Sequence, residues 1–249
     1  MKKLLAFKTV AVDTLAFQAG TTIYAGQTFK LYGDYHELND DNVTNEGEEK
    51  ILQWILSSSG RELLLRELGV GSNAFVALSV RQPVVPAGQF KPGDIDLLIC
   101  GDHRADQAIA IQCKRVKVKA FSQAEDDFNK LSDVTAGIKQ ANLQRKNLGF
   151  HRNFLMIVIE TYGQLRSSNN VLFRGPSRDT FSAIYQFPRR ESLHPDVGVI
   201  FVMVSQPTGK SFKRMSVIGV CVDQEAARLD QTDELTNRIS ELMARACTR

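Results

Sequence analysis

Three apolar runs separated by polar turns dominate the middle of the chain, and together they demand a sheet. Leu97-Leu98-Ile99-Cys100 and Ile109-Ala110-Ile111 flank the polar segment Gly101 to Gln107, which reads as two adjacent strands joined by a loop. Phe154 to Glu160 is a continuous apolar run, fit for a strand buried on both faces. The first two runs each carry polar residues at one end. Gly93-Asp94-Ile95-Asp96 leads into one, and Gln112-Cys113-Lys114 leaves the other. Side chains alternate along a strand, so Asp94 and Asp96 share a face of the first, and Gln112 and Lys114 share a face of the second. If the two strands pair, two acids, an amide oxygen and an ammonium converge on one point.

The flanking text places this hairpin in an α/β order. Leu4 to about Tyr35 reads as short strands with turns at Ala19-Gly20 and Ala25-Gly26, followed by the polar stretch Asn39 to Asn42. A helix starts near Asn45 with Ile51, Leu52 and Ile55 on one face, and Gly60 to Leu68 is a second helical piece. Ala74 to Val80 reads as a strand, and Pro83, Pro86 and Pro92 mark a loop before Asp94. The pattern turns helical again from about Gln123 to Lys146, ahead of the Phe154 strand. Beyond Glu160, Ser167 to Asn170 is a loop, and Val197 to Val204 and Met215 to Val222 are strands. Gln224 to Ala246 reads as an amphipathic helix whose stripe is Leu229, Leu235, Ile239 and Leu242, a stripe that ordinarily packs on the core and less often forms a dimer interface. The core order is helix, three strands, helix, strand.

An acid at the start of one strand and Gln112-Cys113-Lys114 on the next resembles the PD-(D/E)xK (restriction-endonuclease-like) nuclease superfamily, and the Q-x-K form resembles its Mrr-like branch. The resemblance covers residues 46–160, under half of the chain. It implies an α/β fold with a restriction-endonuclease-like core over residues 45–160, an N-terminal β extension over 1–44 and a C-terminal strand-helix extension over 161–249, all in one domain. It also implies Mg²⁺- or Mn²⁺-dependent hydrolysis of DNA phosphodiesters in defence or restriction. On that likeness Asp96 and Gln112 are metal ligands, Asp94 is a second ligand or an outer-sphere orienter, and Lys114 positions water or stabilises charge on phosphate. The superfamily often places a further Glu on the preceding helix. Glu48 fits that place, with Glu49 as a substitute, although Asn45-x-x-Glu48 also fits a capping box. Lys117 and Lys119 extend the motif strand as candidate contacts to DNA phosphates. Lys139 and Gln140, on the following helix, read as a solvated face or as auxiliary polar groups. A nuclease fold that has lost cleavage, or a subunit docking a partner or a second copy through the C-terminal helix, stands as the alternative.

Composition narrows the setting. A chain of 249 residues with 43% hydrophobic content can bury a substantial core, and a net charge of +3 neither requires nor excludes nucleic acid. Cys100, Cys113, Cys221 and Cys247 are scattered without metal-ligand spacing, which points to buried reduced thiols and a cytoplasmic location. Met1-Lys2-Lys3-Leu4-Leu5 starts like a signal peptide, but Lys8 and Asp13 interrupt the apolar run. No stretch has the apolar length to span a bilayer. His103 and His151 have no nucleophile partner in the sequence.

Overall fold

Among the described residues, eight strands join in one sheet, and helices cover both of its faces. The structure, a computed structural model, describes residues 6–9, 15–18, 20–24, 27–34, 48–57, 59–86, 94–119, 131–162, 178–205 and 216–247. In chain order the elements are β1 (Ala6–Thr9), β2 (Leu15–Gln18), β3 (Gly20–Tyr24), β4 (Gln27–Asp34), α1 (Glu48–Ser57), α2 (Ser59–Glu67), β5 (Phe75–Val80) and β6 (Ile95–Cys100). Two short 3-10 turns then lead to β7 (Ile109–Lys119), α3 (Leu131–Asn147), β8 (Arg152–Tyr162), α4 (Arg178–Arg190), β9 (Gly198–Ser205), β10 (Ser216–Gln224) and α5 (Asp233–Cys247). The sheet order is β3-β4-β10-β9-β8-β7-β6-β5, with β1 and β2 forming a separate pair. Strands β7, β8 and β9 run parallel and the other neighbours antiparallel. The crossover through α3 is what a parallel β7–β8 pair requires.

The apolar run of β8 is continuous because both of its faces are covered. Phe154, Met156 and Val158 pack with Ile51, Leu52, Ile55, Leu63 and Leu64 of α1 and α2. Leu155, Ile157 and Ile159 pack with Val134, Ile138 and Ala141 of α3 and with Phe181 and Ile184 of α4. Helix α1 carries Glu48 and Glu49 in its first turn, where carboxylates complement the helix dipole. Helix α2 ends in a Schellman motif: Val70 N–H reaches Leu65 O at 2.8 Å and Gly69 N–H reaches Arg66 O at 3.0 Å. Gly69 takes the left-handed conformation this requires, at φ 67°.

Mixed α/β architecture agrees with the sequence reading, and two features differ from it. Helix α4 is absent from that reading. Phe181, Ile184 and Tyr185 have helical spacing, but Pro188 lies inside the helix, and a proline so close to the apolar pattern argues against one. The C-terminal helix begins at Asp233, not Gln224. Residues 225–232 instead form a strap without helix or strand, with Ala227 N–H bonded to Asp196 O at 3.0 Å and Leu229 N–H to His151 O at 2.9 Å. Thr232 caps the helix through its Oγ1, which accepts from Leu235 N–H at 3.3 Å, and Leu229 therefore lies off the helical stripe. The stripe itself packs inward, as a core face does: Leu235 and Ile239 are buried with Leu98, Cys100 and Ala110.

Cys100, Cys113 and Cys221 are buried free thiols. Burial pushes Cys100 up to about 12 and Cys221 up to about 11, and holds Cys113 well above the ordinary thiol range. None has thiolate character at neutral pH. The expected turns and helical residues at 35–47, 120–130 and 163–177 lie outside the described residues, as does the Cys247 side chain.

Candidate active site

Strand β7 outruns its neighbour, and the candidate site lies where it does so. Its ladder with β6 pairs Ile99 with Ile109, Leu98 with Ala110 and Leu97 with Ile111, while its pairing with β8 continues to Lys119. Past Ile111, backbone donors on the β6 side need other partners. Two carboxylates supply them. Asp96 Oδ2 accepts from Cys113 N–H at 2.7 Å, and Glu48 Oε1 accepts from Arg115 N–H at 3.3 Å. An acid at the start of β6 therefore lies against the unpaired edge of β7.

Alternation brings the motif side chains to the same place. Gln112 is 1% exposed, and its Nε2 donates to Asp96 Oδ2. Its Oε1 accepts from Nε2 of Gln144 on α3 at 2.9 Å. Lys114 Nζ lies 3.0 Å from Glu48 Oε2, with only 12% of its side chain exposed. Glu48 thus spans Lys114 and the Arg115 amide from the first turn of α1, while Asn45, its partner in the capping-box reading, lies outside the described residues. Its neighbour Glu49 turns outward and accepts from Gln53 at 3.4 Å. Beneath this cluster, Arg115 forms a buried ion pair with Glu160 of β8, at 5% and 0% side-chain exposure. The pair ties β7 to β8 on the α1 side of the sheet.

Helix α3 presses on the site from the other side. A Cβ at Gly137 would meet Lys114 Cγ at 2.4 Å and Leu155 Cδ1 at 3.2 Å, so only glycine lets the helix lie on the Lys114 stem. Burial pushes the Asp96 carboxyl up to about 6, and the Glu48 charge adds to the rise. The Cys113 amide, Lys114 and Gln112 oppose it. Two acids and one ammonium in a half-buried space leave room for a further positive charge.

Other expected residues fall elsewhere. Asp94 is drawn away by Arg81, whose Nη2 lies 2.6 Å from Asp94 Oδ2, which leaves it aligned in sequence but engaged outside the cluster. Lys117 is half-buried, and as an odd-numbered residue of β7 it lies on the opposite face from Gln112 and Lys114. It does not extend the Lys114 row. The Lys119 side chain lies outside the described residues. Lys139 is exposed, whereas Gln140 is half-buried with an Oε1 that is buried and has no hydrogen-bond partner. His103 is exposed in a 3-10 turn, and His151 Nδ1 lies 2.9 Å from Leu229 O.

Gln144 is the member that the sequence reading misses. Its signal is present: Val134, Gly137, Ile138, Ala141 and Gln144 form the buried face of α3, and a glutamine in register with an apolar stripe needs an inward partner. A hard cation such as Mg²⁺ takes one or two carboxylates and keeps waters or phosphate oxygens for the rest of its shell. Asp96 and Glu48 supply two carboxylates of that kind, and Gln112 a neutral oxygen once its amide is turned. Among the described residues, no group of three or more His, Cys, Asp or Glu side chains converges to hold a metal. No protein-family model, curated protein or solved structure matches the chain.

Proposed function

We propose that this protein is a metal-dependent nuclease that hydrolyses DNA phosphodiester bonds, with Asp96, Gln112, Lys114 and Glu48 as its catalytic centre. The observation that carries this reading is the ion pair of Lys114 with Glu48, residues 66 apart in sequence, formed beside the Asp96–Gln112 contact. Asp96 and the Gln112 amide oxygen would hold Mg²⁺ or Mn²⁺, with Glu48 close enough to share the charge. Such an ion, when bound, polarises a phosphoryl oxygen and acidifies a coordinated water. Lys114 stands ready to orient the attacking water or to counter charge developing on phosphate. Glu48 fixes the ammonium before substrate arrives, and Gly137 keeps the stem confined. With amide in place of carboxylate the site is one charge poorer, so a bound ion would draw more on the substrate phosphate. A role in restriction or defence rests on the Q-x-K resemblance alone. Three buried free thiols support a reducing, cytoplasmic setting, and no helix among the described residues is long and apolar enough to cross a membrane.

The test is incubation of the purified protein with plasmid and with linear DNA, in Mg²⁺, Mn²⁺ or EDTA, beside Lys114→Ala. Cleavage that needs the cation and fails in the variant is the expected result. An intact substrate with both cations rejects the assignment. One observation favours a second reading, a nuclease-like DNA-binding or regulatory subunit that no longer cuts: Gln112 stands where the resembled family carries an acid. Restoring an acid by Gln112→Glu separates the two. In the non-cutting reading the wild type binds no metal and the variant does.

A further inference from the structure

Three side chains stand in a row from helix α3 to the candidate metal ligand. Gln144 Nε2 donates to Gln112 Oε1 at 2.9 Å, and Gln112 Nε2 donates to Asp96 Oδ2. The row therefore has a direction: it presents a donor to Asp96. A cation beside Asp96 needs the acceptor end of the same amide. An amide can exchange its two ends by a half-turn of its last torsion with little change of shape. Once turned, Gln112 offers Nε2 to Gln144, so Gln144 must turn as well and present its oxygen.

The turned Gln144 then needs an acceptor for its own Nε2, because it is 1% exposed and a buried donor without a partner is costly. Gln140 lies one helical turn back on α3, at the i−4 position that neighbours Gln144 on the helix surface. Its Oε1 is buried and has no partner. Gly137, three residues before Gln140, lies against Lys114, and Gln144 lies against Gln112. Gln140 therefore flanks the buried face of α3, half-buried and one turn before Gln144.

We propose that Gln144 is a positioning residue that sets which end of the Gln112 amide faces Asp96, and that Gln140 supplies the acceptor that opens the cation-bound orientation. This rests on the reading of the cluster as a metal site. Both residues act through Gln112 and touch neither cation nor substrate.

Calorimetric titration with Mg²⁺ and with Mn²⁺, on wild type, Gln144→Leu, Gln144→Glu and Gln140→Leu, tests it without using cleavage. Loss of a group that orients a ligand typically weakens metal affinity by about tenfold to a hundredfold, and that loss is expected in Gln144→Leu. Gln144→Glu, which can only accept, holds the turned Gln112 and should bind at least as tightly as wild type. Gln140→Leu should bind more weakly while its melting temperature stays level or rises, since it removes a buried acceptor that has no partner. A merely structural Gln144 lowers the melting temperature of both its variants and leaves affinity unchanged. Wild-type affinity in Gln144→Leu overturns the relay alone. A wild type that takes up neither cation overturns the metal-site reading and the relay with it. Side-chain amide NMR gives a second readout: Mg²⁺ should move the Gln112 and Gln144 signals together in the wild type, and movement of Gln112 alone counts against the coupling.

Discussion

Burial places the Asp96 carboxyl at about 6, well above its ordinary value of 3.8, and the sign of the consequence for stability follows. The folded protein holds this proton more tightly than the unfolded chain. Ionisation therefore disfavours the fold, and the contribution of Asp96 to stability falls as pH rises from about 4 to about 6. At pH 7 the whole penalty is present. Asp96→Asn removes it. Each tenfold difference in proton affinity between folded and unfolded chain is worth about 1.4 kcal/mol, so the variant should gain on the order of 1–3 kcal/mol at pH 7. The gain should vanish near pH 4. Thermal melts across that range check it, and a variant less stable than wild type at pH 7 contradicts it. Mg²⁺ should raise the melting temperature of the wild type at pH 7 by mass action and leave Asp96→Asn unmoved. Lys114 gives a separate handle on the chemistry. Removing one preorganised electrostatic group costs about a hundredfold to a thousandfold in rate, so Lys114→Ala should lose cleavage to that extent while keeping its fold, and unchanged cleavage removes Lys114 from the site.

Elements explain why part of the site is legible in the sequence. Asp96, Gln112 and Lys114 are local signals, because strand alternation and a short hairpin fix their faces from sequence alone. Glu48 needs a second element: whether it caps α1 or reaches β7 depends on where the helix sits against the sheet. Gln144 needs a third, since its partner is a side chain 32 residues away. Asp94 shows the converse, aligned by the same alternation as Asp96 yet taken by Arg81 from just beyond β5. Helix α3 links these residues, and Gly137 is where it can be tested. In an open helix, glycine to alanine stabilises by about 1 kcal/mol. Here the added methyl meets the Lys114 stem at 2.4 Å, and overpacking of that kind costs about 1–3 kcal/mol. Gly137→Ala should be neutral to modestly destabilised. Its cleavage should fall by about tenfold to a hundredfold, because a displacement near 1 Å at a reacting group has that scale of effect. A more stable Gly137→Ala with full activity places α3 farther from Lys114 than the structure has it.

At the scale of the molecule, the regions read from sequence as N- and C-terminal extensions supply half of the eight-stranded sheet. Strands β3 and β4 join β10, and β9 joins β8 directly. Periodicity identifies most of these strands but not their neighbours, since pairing between distant segments leaves no local pattern. The same limit applies to α5. An amphipathic stripe looks alike whether it meets another chain or its own sheet. Leu235 and Ile239 lie at 3% and 0% exposure against Leu98, Cys100 and Ala110, on the β6 strand that carries Asp96 and on the β7 strand that carries Gln112. Truncating a fully buried isoleucine leaves a cavity and costs about 2–5 kcal/mol. Ile239→Ala should therefore lower the stability measured by denaturation by that amount at any protein concentration, because the lost contact lies within one chain. The mass in solution should match that of the wild type. A midpoint that depends on protein concentration, or a mass that drops in the variant, would instead make this face an interface between copies, with its inward burial in one chain replaced by contact across two.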